Sequence, residues 1–162
     1  MSQPILPFHD MPAGGGAPQT AQDVARGVSR LLMDMGYAPL LEFKLGNGLR
    51  VDVAALNQRG MMIAVEIKTS PVDLKRDGKW TEYLAFCDSF YFAVPPEFPR
   101  ALLDEPDYLP ERTGLILADR FQAAIIRSAA EFRMSMSRRR AETLRFARKA
   151  ARRLAIVLDP MP

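Results

Sequence analysis

At 162 residues the chain has the size of one domain with a substantial core, and its 48% apolar and 25% charged residues are ordinary for a soluble globular protein. No apolar stretch approaches a membrane span and no secretory signal opens the chain, so a cytoplasmic protein with no membrane partner is expected. The net charge of +3 hides an asymmetry: residues 131–153 hold nine basic and two acidic side chains, a balance of +7, against −4 for the rest.

Residues 1–18 carry Pro4, Pro7, Pro12, Pro18 and three consecutive glycines, and are predicted to be a flexible tail ahead of a single domain over 19–162. Thr20 can cap a helix running to about Gly36, with Val24, Val28, Leu31, Leu32 and Met35 on one side. Tyr37 to Leu45 reads as extended, and Gly46-Asn47-Gly48 as a turn into a β-hairpin. Ser70-Pro71 then breaks the strand, and Val72 to Phe86 reads as a helix interrupted near Gly78. Strands follow at Asp88–Val94 and Gly114–Ala118, with a short helix between Pro99 and Pro110 and a returning strand or helix start over Phe121–Arg127. A helix from about Ser137 to Ile156 closes the chain, with Leu144, Ala147, Ala151 and Leu154 as its predicted inner stripe. This order predicts an α/β sandwich with a mixed central β-sheet flanked by helices.

The hairpin carries most of the chemical information. Leu49–Leu56 and Met62–Lys68 both alternate in character, and a three-residue loop Gln58-Arg59-Gly60 with Gly60 in the left-handed region sets Ala54 opposite Ala64 and Asp52 opposite Glu66. Lys68 falls on the same face, opposite Arg50, while Val51, Val53, Ala55, Ile63, Val65 and Ile67 form an apolar opposite face. Facing carboxylates have Cβ atoms about 4.5–5.5 Å apart and repel, so they call for compensation. Either a divalent cation sits between them, or Lys68 and Arg50 neutralise a solvated polar face.

Asp52, Glu66 and Lys68 resemble the Asp…Glu-x-Lys core of the PD-(D/E)XK nuclease superfamily, with Val51 where that motif has proline. The resemblance extends through Val65–Ser70, Asp77–Tyr83, Cys87–Pro95 and Gly114–Asp119 to the bacterial MmcB-type DNA-repair endonuclease family. It implies a restriction-endonuclease-like fold and an Mg²⁺- or Mn²⁺-dependent deoxyribonuclease with Asp52 and Glu66 as metal ligands. The Ile67 backbone carbonyl would complete the protein ligands and Lys68 would orient the attacking water. Glu42, with Asp23 as its rival, is the candidate for a further acidic ligand. DNA is the implied partner, alongside other repair proteins, and the oligomeric state stays open.

Lys79 and Tyr83, one helical turn apart, resemble the Gln-x-x-x-Tyr motif of some superfamily exonucleases with lysine in place of glutamine, and are DNA-contact candidates. Trp80 could stack on a base but is expected in the core, and Asp73 and Asp77 could belong to the site or cap local turns, with turns the expectation. Arg138, Arg139, Arg145, Arg148, Lys149 and Arg152 make the last helix a candidate surface for a DNA backbone, the alternative being a solvated face. Cys87, the only cysteine, is expected to be buried, and His9, the only histidine, offers no nearby base. The absence of a Walker-type phosphate loop argues against ATP hydrolysis. A nuclease-fold DNA-binding or adaptor protein without useful cleavage is the rival reading.

Overall fold

The computed structural model describes residues 17–160; residues 1–16 of the predicted tail lie outside them. Helix α1 spans Ala21–Asp34 and is opened by a reciprocal cap, in which the Thr20 side chain accepts the Asp23 N–H and the Asp23 carboxylate accepts the Thr20 N–H. Strands β1 (Tyr37–Lys44), β2 (Arg50–Asn57), β3 (Met62–Ile67), β4 (Ser89–Val94), β5 (Gly114–Ala118) and β6 (Ala123–Arg127) form one sheet in that order. The β3–β4 and β4–β5 pairs are parallel and the others antiparallel, giving the mixed sheet flanked by helices that the sequence predicts. Pro39, which cannot donate to a ladder, is accommodated because β1 is an edge strand.

Gly60, with φ of +76°, closes the β2–β3 turn, and Val53, Ala54 and Ala55 stand opposite Val65, Ala64 and Ile63. This is the register the turn chemistry dictates. Both faces of the sheet are covered, which is why β3, β4 and β5 read as nearly unbroken apolar runs. Val24, Val28 and Leu32 of α1 pack on Val53, Ala55, Ile63, Val65 and Ile67. Met35, expected on that side, is instead exposed.

The opposite face is roofed by Trp80, Tyr83 and Leu84 of a 3-10 helix (Trp80–Phe86) and by Phe146 of helix α3 (Met136–Leu158), over Ala54, Ala64, Phe90 and Phe92. Trp80 meets Phe92 edge-on with ring centroids 5.0 Å apart, so its core assignment holds. Between β3 and the 3-10 helix lies the short α2 (Pro71–Arg76), capped by Ser70 and contributing only Leu74 to the core. The predicted inner stripe of α3 faces solvent: Leu144 and Leu154 are 61% and 59% exposed, whereas Glu142 and Phe146 are buried. Two polar anchors turn the helix this way. Asp88 accepts the Met62 and Met134 N–H groups and the Arg139 guanidinium, which also donates to the Gly60 carbonyl. Glu142 accepts the Gly46 N–H at 3.1 Å, an approach so close that a Cβ on Gly46 would lie 2.5 Å from Glu142 Oε1.

Candidate active site

The hairpin delivers two carboxylates to one end of the sheet. The β2–β3 ladder pairs as far as Val53–Val65, and beyond it Asp52 Oδ2 accepts the Ile67 N–H at 2.7 Å. The side chain thereby replaces the missing ladder bond and is fixed by it. In the neighbouring β1, Glu42 adopts φ of +53°, rare for a residue with a side chain. Its carbonyl accepts Arg153 Nη2 at 3.1 Å and its carboxylate pairs with Arg50 Nε at 2.7 Å. The side-chain alternation of both strands breaks at this level. Val51 consequently packs with Phe43 and Ala54 rather than with Val53, which corrects the face assigned to it from sequence alternation.

Glu66 and Lys68 are each only 7% exposed. Lys68 Nζ donates to Asp77 Oδ2 at 2.7 Å and to Glu66 Oε1 at 3.2 Å. Glu66 Oε2 is buried with no partner. Burial first, and the Asp52 charge second, push Glu66 up to about 8, and burial also raises Asp52 despite its Ile67 bond and the Lys68 charge. Burial alone would pull Lys68 down, but the Asp77 hydrogen bond and the Glu66 and Asp77 charges overcome it, so the side chain is held as an ammonium. Burial opposes ionisation of Asp77, but the hydrogen bond and charge of Lys68 and the Lys79 N–H together outweigh it and keep the carboxyl below the usual range. Asp77 therefore belongs to the cluster, in addition to capping the Lys79 N–H at 3.0 Å as a turn residue would. Asp73 stays in the α2 cap, its N–H donating to Ser70 Oγ.

A buried Glu66 with an orphaned oxygen, a half-buried Asp52 and their mutual repulsion fit a divalent cation held by the two. Among the described residues no three acidic, histidine or cysteine side chains gather as a cation-binding group. Glu42 is turned to Arg50, and Asp23 is committed to the α1 cap and Arg120. Tyr83 is buried with its ring stacked near Phe90, and burial followed by the Glu66, Asp77 and Asp52 charges raises its phenol. Lys79 precedes a 3-10 helix, in which residues four apart are not aligned, so Lys79 and Tyr83 do not share a face; Lys79 is exposed. Cys87 is buried and its thiol pushed up to about 12, as expected for a packing residue.

A groove of about 400 Å³ runs between the β1–β2 turn and α3. Phe43, Leu45 and Gly46 form part of its lining with Arg145, Arg148, Lys149 and Arg152, and Lys44 adds a cation that the helix pattern alone could not reveal. None of Asp52, Glu66 and Lys68 lines it. Two of the predicted helix contacts are occupied by the fold. Arg139 is tied up with Asp88, and Arg138 donates to the Ala85 carbonyl and lies 4.5 Å over the Phe86 ring. Arg145 remains at the groove while reaching Glu142 at 3.6 Å.

A mixed α/β sheet bearing a carboxylate–lysine cluster at a hairpin end, together with a basic groove, defines the class of protein. The chain belongs to the MmcB-like DNA repair protein family, whose model matches residues 9–161. It is similar to SPO1766, a protein of unknown function from Silicibacter pomeroyi, with 40% identity and a TM-score of 0.79 over 90% of this chain and 94% of that one. A repair endonuclease from Pyrococcus abyssi aligns at 14% identity and a TM-score of 0.36, over 57% of this chain and 45% of that chain. No curated protein matches the chain. No helix among the described residues is long and apolar enough to cross a membrane.

Proposed function

We propose that the protein is a metal-dependent DNA endonuclease of the PD-(D/E)XK type, acting in DNA repair in the cytoplasm alongside other repair proteins. The observation that carries this reading is the buried, unpartnered Oε2 of Glu66, whose other oxygen meets Lys68 and whose neighbour Ile67 donates to Asp52. Asp52 and Glu66 would hold Mg²⁺ or Mn²⁺ together with the Ile67 carbonyl. When bound, the ion supplies Lewis-acid polarisation of a phosphoryl oxygen and an acidified water. The Ile67 N–H keeps Asp52 in place, so the carboxylate needs no rearrangement to act. Lys68, kept protonated by its two acidic neighbours, is a hydrogen-bond donor and not a base: it orients water and offsets negative charge developing on the phosphate. Lys44, Arg145, Arg148, Lys149 and Arg152 contact phosphates along the strand without reading bases, and Lys79 adds a further exposed cation.

A second reading is favoured by one specific feature. Lys68 already compensates Glu66 and Asp77, and the carboxylates do not open into the basic groove, an arrangement suited to a DNA-binding adaptor that does not cut. Calorimetric titration with Mg²⁺ and Mn²⁺, joined to cleavage assays on duplex, single-stranded, flapped and junction DNA, separates the two. Metal binding by the native protein, with cleavage that vanishes in Lys68→Ala, supports the nuclease. DNA binding with neither supports the adaptor.

A further inference from the structure

Sequence favours a turn cap over a site role for Asp77, yet it is the nearest acidic partner of the Lys68 ammonium, at 2.7 Å against 3.2 Å for Glu66. Its other oxygen accepts the Lys79 N–H at 3.0 Å, so the carboxylate is oriented by backbone as well as by the lysine. The lysine is anchored at its root as well, since its own N–H donates to the Ala93 carbonyl at 2.9 Å. A buried ammonium seeks the nearest carboxylates, and without Asp77 the remaining acids around Lys68 are Glu66 and Asp52. Lys68 would then settle between the two groups that a cation needs.

We propose that Asp77 is a positioning residue that draws the Lys68 ammonium to one side of Glu66, leaving Glu66 Oε2 and Asp52 free to take a divalent cation. The proposal rests on the metal-site reading above for its consequence, but the placement of Lys68 can be measured without metal. Asp77 acts through Lys68, and it is not itself a ligand.

The first measurement is selective acylation of lysines in metal-free protein, followed by mass spectrometry. Asp77→Asn, which keeps an oxygen for the Lys79 N–H, should change the labelling rate of Lys68 severalfold while Lys44, Lys75 and Lys149 keep theirs, and should lower the thermal midpoint because the buried ammonium loses its nearest counter-charge. Asp77→Glu should restore most of the native rate. An unchanged Lys68 rate overturns the placement, and altered rates at all lysines would mean that Asp77 merely supports the fold.

The second is a double-mutant cycle on Mn²⁺ affinity, read by electron paramagnetic resonance. Asp77→Asn should weaken binding roughly tenfold in the native background, the scale typical of residues that orient metal ligands, and have little effect in a Lys68→Met background. Equal losses in both backgrounds would show that Asp77 acts by its own charge, and no loss in either would remove its role; both overturn the proposal. If native protein binds no Mn²⁺ at all, the metal-site reading fails and so does the cation-directed role of Asp77, whereas the labelling result separately decides whether Asp77 places Lys68.

Discussion

Asp52 Oδ2 accepts the backbone N–H of Ile67 at 2.7 Å across the hairpin, one position beyond the last ladder pair. The same bond fixes a candidate ligand and satisfies a strand end. Asp52→Asn, with an amide oxygen to take the N–H, should retain the native thermal midpoint but abolish Mn²⁺ binding. Asp52→Ala leaves the Ile67 N–H without its acceptor and should also reduce stability by about 1–3 kcal/mol. Chemical denaturation and Mn²⁺ titration of both variants check this.

Glu66 gives the protein a characteristic pH response. Its folded value near 8 lies above the ordinary 4.5, so between those limits the folded state holds a proton that the unfolded chain has released. Stability contributed by this group is therefore complete below about 4.5 and is lost as pH rises towards 8. Denaturation curves collected with chelator from pH 5 to 9 should show that decline, and Glu66→Gln should flatten it. Cation binding requires the ionised carboxyl, so Mn²⁺ affinity should increase with pH over the same range and binding should release protons.

The helix arginines divide into two kinds. Arg139→Ala removes the partner of a buried Asp88 and should cost about 3 kcal/mol, impairing DNA binding only by destabilising the fold. Reversing Arg148 and Arg152 to Glu should leave the denaturation midpoint near native while weakening DNA binding and lowering the salt slope by roughly one for each phosphate that is no longer neutralised. Affinity measured at several salt concentrations distinguishes them.

Orientation of α3 is tested by its apolar residues. Leu144→Gln and Leu154→Gln should each change stability by less than about 0.5 kcal/mol because both side chains are exposed. Phe146→Ala, which removes the ring packed against Phe43, should cost about 3–5 kcal/mol. Urea denaturation of the three variants is sufficient.

These contrasts show what a sequence can convey here. The hairpin register follows from Gly60 and the alternating strands, because a slip of one residue would bury charge. The left-handed Glu42 and the displaced Val51 are invisible to alternation, since a single backbone reversal leaves the pattern of residue types intact. In α3, apolar periodicity selects Leu144 and Leu154, but the helix is rotated by hydrogen bonds from Arg139 and Glu142 to partners tens of residues away. Sequence leaves Asp77 between the site and a turn cap for the same reason, as it lies in the irregular stretch between α2 and the 3-10 helix and only the folded chain brings it to Lys68.

Because Arg139 fastens the last helix to both Asp88 and the Gly60 turn, that helix is tied directly to the hairpin that carries the carboxylates. The offset between the groove cations and the Asp52–Glu66 pair is consequently held by the fold's own hydrogen bonds, a spacing that any ligand reaching both would have to bridge.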